Sequence, residues 1–470
     1  MGPRGRRSFA GANRHLFMTT AHESDASDRT RQAAALGPLG TLTLELWQRT
    51  RIDWGFASDR LAAEFRKRKL GGRERRFVAE TLYGMIRHAR RIDEALAAGG
   101  ARAASPSPDY DRLLAYLILE AGLTPDEAAR HRPGVDWGRV AGADRALAAI
   151  RDPAERIARR HSLPDWLAHR LVREWDTEAE PLAASLAERA PMALRVNSLR
   201  ATPDEVIESL SQHGIEAHRG RLAEAAVVVS TRTNLFSLPG FREGHFEVQD
   251  EGSQLVAELA APPPKPLIVD YCAGAGGKTL ALAALSQSRG RIVAADIDHK
   301  KLTELRRRAR RAGATNVQAV EVDTDTSAGF PPPLARLEGR CDRVIVDAPC
   351  TGVGAFRRNP EARWRLSQDE AEHRLPALQR RLCERALALV RPGGRLVYAT
   401  CTLLDAENRG VVRELRAAHP ELELVLPKSI WGRERADPVT DRAGEYLELL
   451  PHRHGTDGFF AAILRRPPLS

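Results

Sequence analysis

The chain has 470 residues, of which 43% are hydrophobic and 29% charged, a composition typical of a globular protein with room for about three domains. No stretch reaches the roughly 18 consecutive apolar residues of a membrane-spanning helix, so we expect no membrane partner. Lysine and arginine (72) outnumber aspartate and glutamate (62), and the resulting net charge of +10 favours nucleic acid as a partner.

Residues 1–35 begin with the arginine-rich segment MGPRGRRSFAGANRHLF, which contains no continuous apolar core. This composition predicts a basic disordered arm and not a secretory signal. Met18 is an alternative start, in which case residues 1–17 precede the native protein.

Apolar residues then recur at helical spacing from Leu36 to about Ala98, and again in RLLAYLILEAG after the Pro/Ser-rich loop Ala101–Asp111. We therefore predict an all-helical domain over residues 36–162.

The pattern changes in residues 163–261. ALRVNSL and AAVVVST are short and β-branched, HFEVQD is a further strand candidate, and TPDEVIESLSQHGI is an amphipathic helix opened by a threonine cap. These segments predict a small α/β subdomain, which PPPKP at Pro262–Pro266 separates from the rest of the chain.

From residue 262 to residue 470, strands alternate with amphipathic helices, a pattern that predicts a parallel sheet covered on both faces. The five strand candidates are Pro266–Asp270, Arg291–Asp296, Val317–Val322, Asp342–Asp347 and Arg395–Thr400. YLELLP and GFFAAILRR add an antiparallel pair at the end. We predict a Rossmann-like class I methyltransferase domain with a mostly parallel, seven-stranded sheet.

A glycine-rich loop, DYCAGAGGKT, follows the first of these strands and opens a helix, an arrangement that lets a ligand approach the backbone and free N–H groups. It is not a complete P-loop, because Cys272 stands where that motif requires glycine. Nor is it a complete dinucleotide fingerprint, because Thr279 replaces the last small residue.

Two carboxylates strengthen the nucleotide interpretation. Asp296 ends the second strand, where an acid accepts hydrogen bonds from both ribose hydroxyls, although such a residue can also merely cap the next helix. Asp323 follows the third strand, at the same sheet edge, where it can contact an adenine amine. Together they predict an adenosine-containing cofactor.

The fourth and fifth strands end in DAPCTGVG and TCT, so Asp347, Cys350 and Cys401 are expected in the binding crevice. Cys341 and Cys383 are interpreted as inert core residues. Five cysteines without zinc-ligand spacing predict a reduced, cytoplasmic protein with neither a disulfide framework nor a metal site.

A carboxylate and two thiols fit one reaction. Thiolate addition at carbon 6 of a pyrimidine makes carbon 5 nucleophilic toward a methyl donor, and a second thiol can then take or relay the carbon 5 proton. A nearby acid steadies the charge on the base during addition. This reasoning does not decide which thiol attacks.

The segments DYCAGAGGKT, DAPCTGVGAFRRNPEARWR, YATCTLLDAEN and DGFFAAIL resemble the signatures of the Sun/Fmu (RsmB-type) RNA 5-methylcytosine methyltransferases, which include the nucleolar NOP/NSUN proteins. With RVNSLR and VQDEGSQL, the resemblance runs from about Arg195 to Leu464. It implies S-adenosylmethionine as the cofactor, Cys401 as the nucleophile and Cys350 as the residue that assists release. The cofactor contacts that it implies are Cys272, Ala273, Gly274, Ala275, Gly276, Gly277, Lys278, Asp296, Asp323 and Asp347.

The chain departs from the family pattern at three positions. Ala275 replaces a frequent proline, and Thr351 and Thr402 stand where many members have serine. No side-chain ligand is lost, because both threonines keep a hydroxyl.

The N-terminal module resembles the helical RNA-binding domain of the bacterial members, most visibly in GGRERRFVAETLYGMIRH. The basic runs Arg66–Lys69 and Arg306–Arg311 are either RNA contacts or solvated faces. We expect a monomer that methylates small-subunit ribosomal RNA, with transfer RNA or a catalytically silent assembly factor as alternatives. Arg357, Arg358 and Trp364 are candidates to hold a flipped nucleotide, with ordinary packing as the alternative for Trp364.

Overall fold

A computed structural model describes residues 20–101, 107–230, 233–324 and 329–468 of the protein. The chain divides into two compact units, Met1–Ala149 and Ile150–Ser470. Within the described ranges, no helix combines the length and apolar character needed to cross a membrane.

The first unit is helical, as its apolar spacing predicts. Its core contains Trp47, Leu82, Met85 and Leu113, all buried, and the Trp47 indole donates a hydrogen bond of 3.0 Å to Asp109 Oδ1. The described helices are α1 (Thr20–Ala34), α2 (Pro38–Asp53), α3 (Ala57–Lys67), α4 (Gly72–Arg87), α5 (Ala89–Ala98), α6 (Pro108–Ala121), α7 (Pro125–His131), α8 (Trp137–Ala141) and α9 (Ala143–Ala148).

The prediction of disorder over residues 1–35 is wrong for residues 20–34, which form α1. Ala33 and Ala34 are fully buried, and a Cβ at Gly40 would lie 2.3 Å from the Ala33 carbonyl oxygen, so α1 and α2 pack closely. Each alanine buries little apolar area, so the apolar side of α1 gives only a weak signal in the sequence. The arginine content of residues 1–35 dominates the pattern instead. Residues 1–19, including the alternative start at Met18, lie outside the described residues.

The boundary predicted at residue 162 lies inside the second unit, which begins at Ile150. The second unit starts there because three helices bury their apolar sides within it. They are α10 (Pro153–Arg160), α11 (Asp165–Trp175) and α12 (Ala179–Leu186). Ile157, Leu167 and Leu182 share a core with Phe356 and Leu403, which come from the far end of the chain. These three helices therefore pack with the C-terminal region of the chain.

The predicted small α/β subdomain contains an antiparallel sheet in the order β2-β3-β1-β4. Leu194, Val206, Val227 and Phe246 form its core. Its elements, with the helix that follows, are β1 (Met192–Val196), α13 (Pro203–Gln212), β2 (Ala217–Arg219), β3 (Ala226–Val229), α14 (Pro239–Arg242), β4 (Phe246–Val248) and α15 (Glu251–Leu259). Strand β2 is not predicted, because it is short and largely exposed.

The larger sheet has the order β10-β12-β9-β8-β5-β6-β7, with β11 paired to β12. Pairs among β5 to β9 are parallel, and β12 runs antiparallel to β9. The strands are β5 (Leu267–Tyr271), β6 (Arg291–Asp296), β7 (Val317–Glu321), β8 (Cys341–Asp347), β9 (Val390–Thr400), β10 (Glu423–Leu424), β11 (Leu447–Leu449) and β12 (Phe459–Arg465). The two-residue β10 makes eight strands instead of the predicted seven.

Helices cover both faces of this sheet, so Ile268, Val269, Val344 and Ile345 in its centre are fully buried. The helices after β5 are α16 (Gly277–Leu285), α17 (His299–Ala312), α18 (Pro332–Ala335), α19 (Ala362–Arg365), α20 (Leu375–Leu387), α21 (Arg409–Ala418), α22 (Lys428–Trp431), α23 (Arg433–Ala436) and α24 (Pro451–His454). The predicted Rossmann-like α/β fold with an N-terminal helical region is confirmed.

Candidate active site

The carboxyl ends of β5, β6, β8 and β9 meet at one edge of the sheet, where crevices form in open α/β folds. Asp296 and Asp347 are the last residues of β6 and β8, and Asp270 is the second-last residue of β5. Cys401 directly follows β9. Strand register thus brings these four side chains to one edge from distant parts of the sequence.

The loop between β5 and α16 has the shape of a cofactor cradle. The Ala273 amide donates to the Ala295 carbonyl at 2.9 Å, and the Gly274 amide donates to Asp296 Oδ2 at 2.7 Å. Gly276 caps α16 with φ of 84°, and a Cβ there would lie 2.6 Å from the Leu305 side chain. Only glycine fits this position without strain.

The cradle leaves space and hydrogen-bonding capacity for an adenosine cofactor. A Cβ at Gly274 would meet nothing within 4 Å, and the buried Asp270 Oδ1 has no hydrogen-bond partner. Asp296 also accepts from the Asp298 amide at 2.9 Å, yet carboxylate oxygens have lone pairs left for ribose hydroxyls. Asp323 lies just beyond β7 and is exposed.

Lys278 and Thr279 do not serve a phosphate site. The Lys278 ammonium donates to Asp347 Oδ2 at 2.6 Å, and the Thr279 hydroxyl donates to Asp270 Oδ2 at 2.5 Å. In a P-loop these two side chains reach the phosphates and their metal ion. Because both side chains bind aspartates of the protein itself, this loop does not have the arrangement of a nucleoside triphosphate site.

Lys278, which is buried, forms an ion pair with the half-buried Asp347. Burial lowers the pKa of Lys278, but the charge and hydrogen bond of Asp347 outweigh it and hold that pKa above its ordinary value. The ammonium also lies 5.6 Å from the centroid of the Phe459 ring. Lys278 is therefore a fixed positive charge at the sheet edge.

Cys350 and Cys401 come from different loops, yet their Sγ atoms lie 3.4 Å apart. Both residues are half-buried. The hydrogen bond to Cys401, followed by burial, raises the pKa of Cys350 well above its ordinary value. Cys350 therefore keeps its proton at neutral pH while Cys401 lies beside it.

The other three cysteines are unsuited to nucleophilic chemistry. Cys272 has φ of 70°, and burial, together with the charges of Asp296 and Asp347, raises the pKa of its thiol. Cys341 and Cys383 are fully buried in the core. Cys272 therefore belongs to the cofactor loop as a shape-determining residue.

Arg357 and Arg358, expected to hold a flipped nucleotide, bind the protein itself. Arg357 is 6% exposed and donates to the Gly455 and Thr456 carbonyls at 3.0 Å. Arg358 pairs with Asp457 and Asp250 at 2.5 and 2.7 Å. These acceptors come from loops that are distant in sequence, and contact of the two arginines with a flipped nucleotide stays a prediction.

Trp364 is half-buried. Several side chains of the two basic runs form ion pairs within the protein, some exposed and some buried. Arg307 pairs with Glu304, and Arg308 and Arg311 share Glu247. Lys67 and Arg68 both pair with Glu64.

Sequence reasoning missed Glu407, which is fully buried behind the two thiols. Its carboxylate accepts hydrogen bonds from the Thr351 amide, the Thr351 hydroxyl and the Gln379 amide group, at 2.9, 2.6 and 2.8 Å. Burial raises the pKa of this carboxyl, and these hydrogen bonds oppose the rise. The available signal was an acidic residue inside TLLDAEN, directly after Cys401.

Comparisons with known proteins identify the family to which the chain is similar. A family model described as "16S rRNA methyltransferase RsmB/F" matches residues 257–465, and an RsmF/B-like "ferredoxin-like domain" model matches residues 163–235. The "Probable ribosomal RNA small subunit methyltransferase B" of Synechocystis is 31% identical over 424 residues, which cover 85% of this chain and 93% of that protein.

Two solved structures extend the comparison. A structure titled "Crystal Structure of PH0851" matches with a TM-score of 0.72 and 27% identity, covering 90% of this chain and 97% of that one. The structure of NSun6 from Pyrococcus horikoshii with SFG matches with a TM-score of 0.55 and 21% identity, covering 64% of this chain and 98% of that one. The latter likeness shows the fold alone.

Proposed function

The chain belongs to the RsmB/F family of S-adenosylmethionine-dependent RNA methyltransferases, and from that premise we propose that it forms 5-methylcytosine in small-subunit ribosomal RNA. The observation that carries the proposal is the thiol pair. Cys350 and Cys401 lie 3.4 Å apart, at the sheet edge that also holds the Lys278–Asp347 pair. Methylation at carbon 5 of a pyrimidine needs both a nucleophile and a proton acceptor.

Cys401 is the proposed nucleophile, as the family resemblance implies. Its sulfur bonds to carbon 6 of the cytosine, which makes carbon 5 an enamine carbon that can attack an electrophile. S-adenosylmethionine, held by the loop of residues 272–278 together with Asp296 and Asp323, supplies the electrophilic methyl group. Asp347 adjoins both this loop and the proposed base site.

Cys350 is the proposed base for the second half of the reaction. The first cause of its raised pKa is the hydrogen bond to Cys401, and that hydrogen bond weakens once the Cys401 sulfur is bonded to carbon. Cys350 can then transfer its thiol proton to solvent water, and the resulting thiolate removes the proton from carbon 5. The electron pair of that C–H bond re-forms the double bond and expels the Cys401 thiolate.

Asp347 and Lys278 orient the base. Lys278 occupies Asp347 Oδ2, which leaves Oδ1 to accept a hydrogen bond from the exocyclic amine of cytosine. Uracil has an acceptor at that position, so this contact favours cytosine. The fixed ammonium of Lys278 stabilises negative charge that develops on the ring during addition.

The RNA is held electrostatically. The net charge of +10 favours phosphate contacts, and Arg66 and Lys69 in the first unit are exposed. Since Cys350 and Cys401 are half-buried, the target cytosine must leave its stack to reach them. We therefore propose that the helical unit contributes to binding of a structured ribosomal RNA.

Bisulfite sequencing of ribosomal and transfer RNA from a deletion strain tests the proposal. We expect one small-subunit rRNA cytosine to lose its mark, and the mark to return with the wild type and with the control Cys341→Ala but not with Cys401→Ala. Loss of a mark in transfer RNA instead would identify transfer RNA as the substrate. Loss of no mark would favour a silent RNA-binding assembly factor.

A further inference from the structure

Glu407 and Asn408 lie next to each other in the turn before α21, and each contacts one of the two thiol loops. Glu407 accepts hydrogen bonds from Thr351, the residue after Cys350, at 2.9 Å from the amide and 2.6 Å from the hydroxyl. The loop is held on its other side as well. Gln379 donates both to Glu407 and to the carbonyl of Pro349, at 2.8 and 3.0 Å.

Asn408 holds the second loop in the same way. Its side-chain oxygen accepts from the Thr400 hydroxyl at 2.6 Å, and its amide group donates to the Thr402 carbonyl at 3.1 Å. Thr400 and Thr402 are the residues on either side of Cys401. Each cysteine is therefore anchored through its two chain neighbours.

The two loops are also joined directly. The hydroxyls of Thr351 and Thr402 lie 2.7 Å apart, and the Gly354 amide donates to the Cys401 carbonyl at 3.0 Å. The Thr351 hydroxyl donates to Glu407, and the Thr402 hydroxyl also lies within hydrogen-bonding reach of the same carboxyl group. Glu407 is thus connected through these two hydroxyls to both thiol loops.

A buried carboxylate without a cation is costly, because several kcal/mol of solvation must be replaced by hydrogen bonds. Glu407 is 0% exposed, and in the described part of the chain no lysine, arginine or histidine pairs with it. A buried carboxyl group of this kind is expected where the geometry of the surrounding loops must be fixed. Here the structures that it fixes are the loops of the two thiols.

We infer that Glu407 and Asn408 are positioning residues that set the distance between Cys350 and Cys401. The inference rests on the proposed function for its catalytic consequence. Cys350 can remove the proton from carbon 5 only if it stays close to that carbon while Cys401 is bonded to the neighbouring carbon 6. Misplacement of a reacting group by about 1 Å costs up to about 100-fold in rate. Neither residue touches the substrate in this scheme.

The test uses Glu407→Gln and Asn408→Asp in the full-length protein, two nearly isosteric changes. The first replaces one acceptor by a donor that faces Thr351, and the second places a carboxylate against the Thr402 carbonyl. Glu251→Gln is the matched control. Glu251 is also buried and accepts two backbone amides, from Leu222 and Ala223, which belong to neither thiol loop.

Two readouts separate positioning from mere stability. The first is the rate at which diamide, a diazene oxidant, joins Cys350 to Cys401: the two thiols lose two protons and two electrons, and diamide becomes the hydrazine. The second is kcat on ribosomal RNA. We expect Glu407→Gln and Asn408→Asp each to slow both processes about ten-fold, with KM within about two-fold.

Glu251→Gln should leave both rates unchanged. If Glu407→Gln and Asn408→Asp form the disulfide at the wild-type rate and have the wild-type kcat, the inference is overturned. If either variant fails to fold, Thr351→Val, which removes one hydroxyl, decides by the same readouts, and Thr351→Ser should restore them. If the wild type forms no 5-methylcytosine, the proposed function fails, while the disulfide rates still test the positioning role.

Discussion

Lys278 and Asp347 form an ion pair of 2.6 Å, although one residue begins α16 and the other ends β8. The contact joins the cofactor loop to the loop that contains Cys350. The lysine side chain is 8% exposed and the aspartate side chain 35% exposed, so water reaches the pair from the aspartate side. The ion pair therefore connects the proposed cofactor site to the proposed base site.

Replacement of Lys278 by Met should reduce kcat about 100-fold, since the change leaves Asp347 without its partner and removes the fixed charge at the base site. Single-turnover methylation of ribosomal RNA measures the loss. Lys265→Met, at an exposed lysine, is the control and should behave as the wild type. A Lys278→Met enzyme with wild-type single-turnover rate would show that the ion pair has no role in the reaction.

The cysteines should give opposite single-mutant behaviour. Cys401→Ala should form neither product nor a covalent complex, because no S–C6 bond can form. Cys350→Ala should form the complex but release it slowly, so a protein–RNA adduct should accumulate on denaturing gels. An adduct in Cys401→Ala and its absence in Cys350→Ala would reverse the two roles.

Asp270 should make stability depend on pH. Burial, followed by the repulsion of Asp347 and Asp296, raises its pKa from 3.8 to about 7, against the hydrogen bond from Thr279. A raised acid pKa means that the folded state holds the proton more tightly than the unfolded state. The stabilisation is therefore complete below about pH 4 and is lost as pH rises to about pH 7.

Urea unfolding of wild type and Asp270→Asn at several pH values measures this effect. The asparagine variant cannot ionise, so the stability of the wild type relative to this variant should fall across the interval from about pH 4 to about pH 7. A difference that is constant with pH would mean that Asp270 ionises normally in the folded protein.

Gly276→Ala should destabilise the protein by about 1–3 kcal/mol and weaken S-adenosylmethionine binding. The position has φ of 84°, and the added Cβ would lie 2.6 Å from Leu305 Cγ. Gly72→Ala is the contrasting change, because that helical glycine has open space around it, and should stabilise by about 0.5 kcal/mol. Thermal unfolding and calorimetric titration measure both variants, and equal effects would contradict the steric argument.

Local patterns predicted most of the architecture. The apolar strands β5 to β9, each followed by a helix, are visible in the sequence, and parallel pairing then brings Asp296, Asp347 and Cys401 to one edge. The helix α1 was missed because its buried residues are small alanines. The division into two compact units falls before α10, and not at residue 162, because α10 shares its core with Phe356 and Leu403.

The sequence by itself determined which residues end the strands, and hence which side chains reach the site, because side-chain periodicity and parallel connection are local properties of the chain. Only the tertiary structure decided what those side chains bind. Arg358 pairs with Asp250 and Asp457, and Glu407 holds Thr351, across loops that are distant in sequence. Hydrogen-bond partners depend on distances between folded segments, and no periodicity in the sequence encodes them.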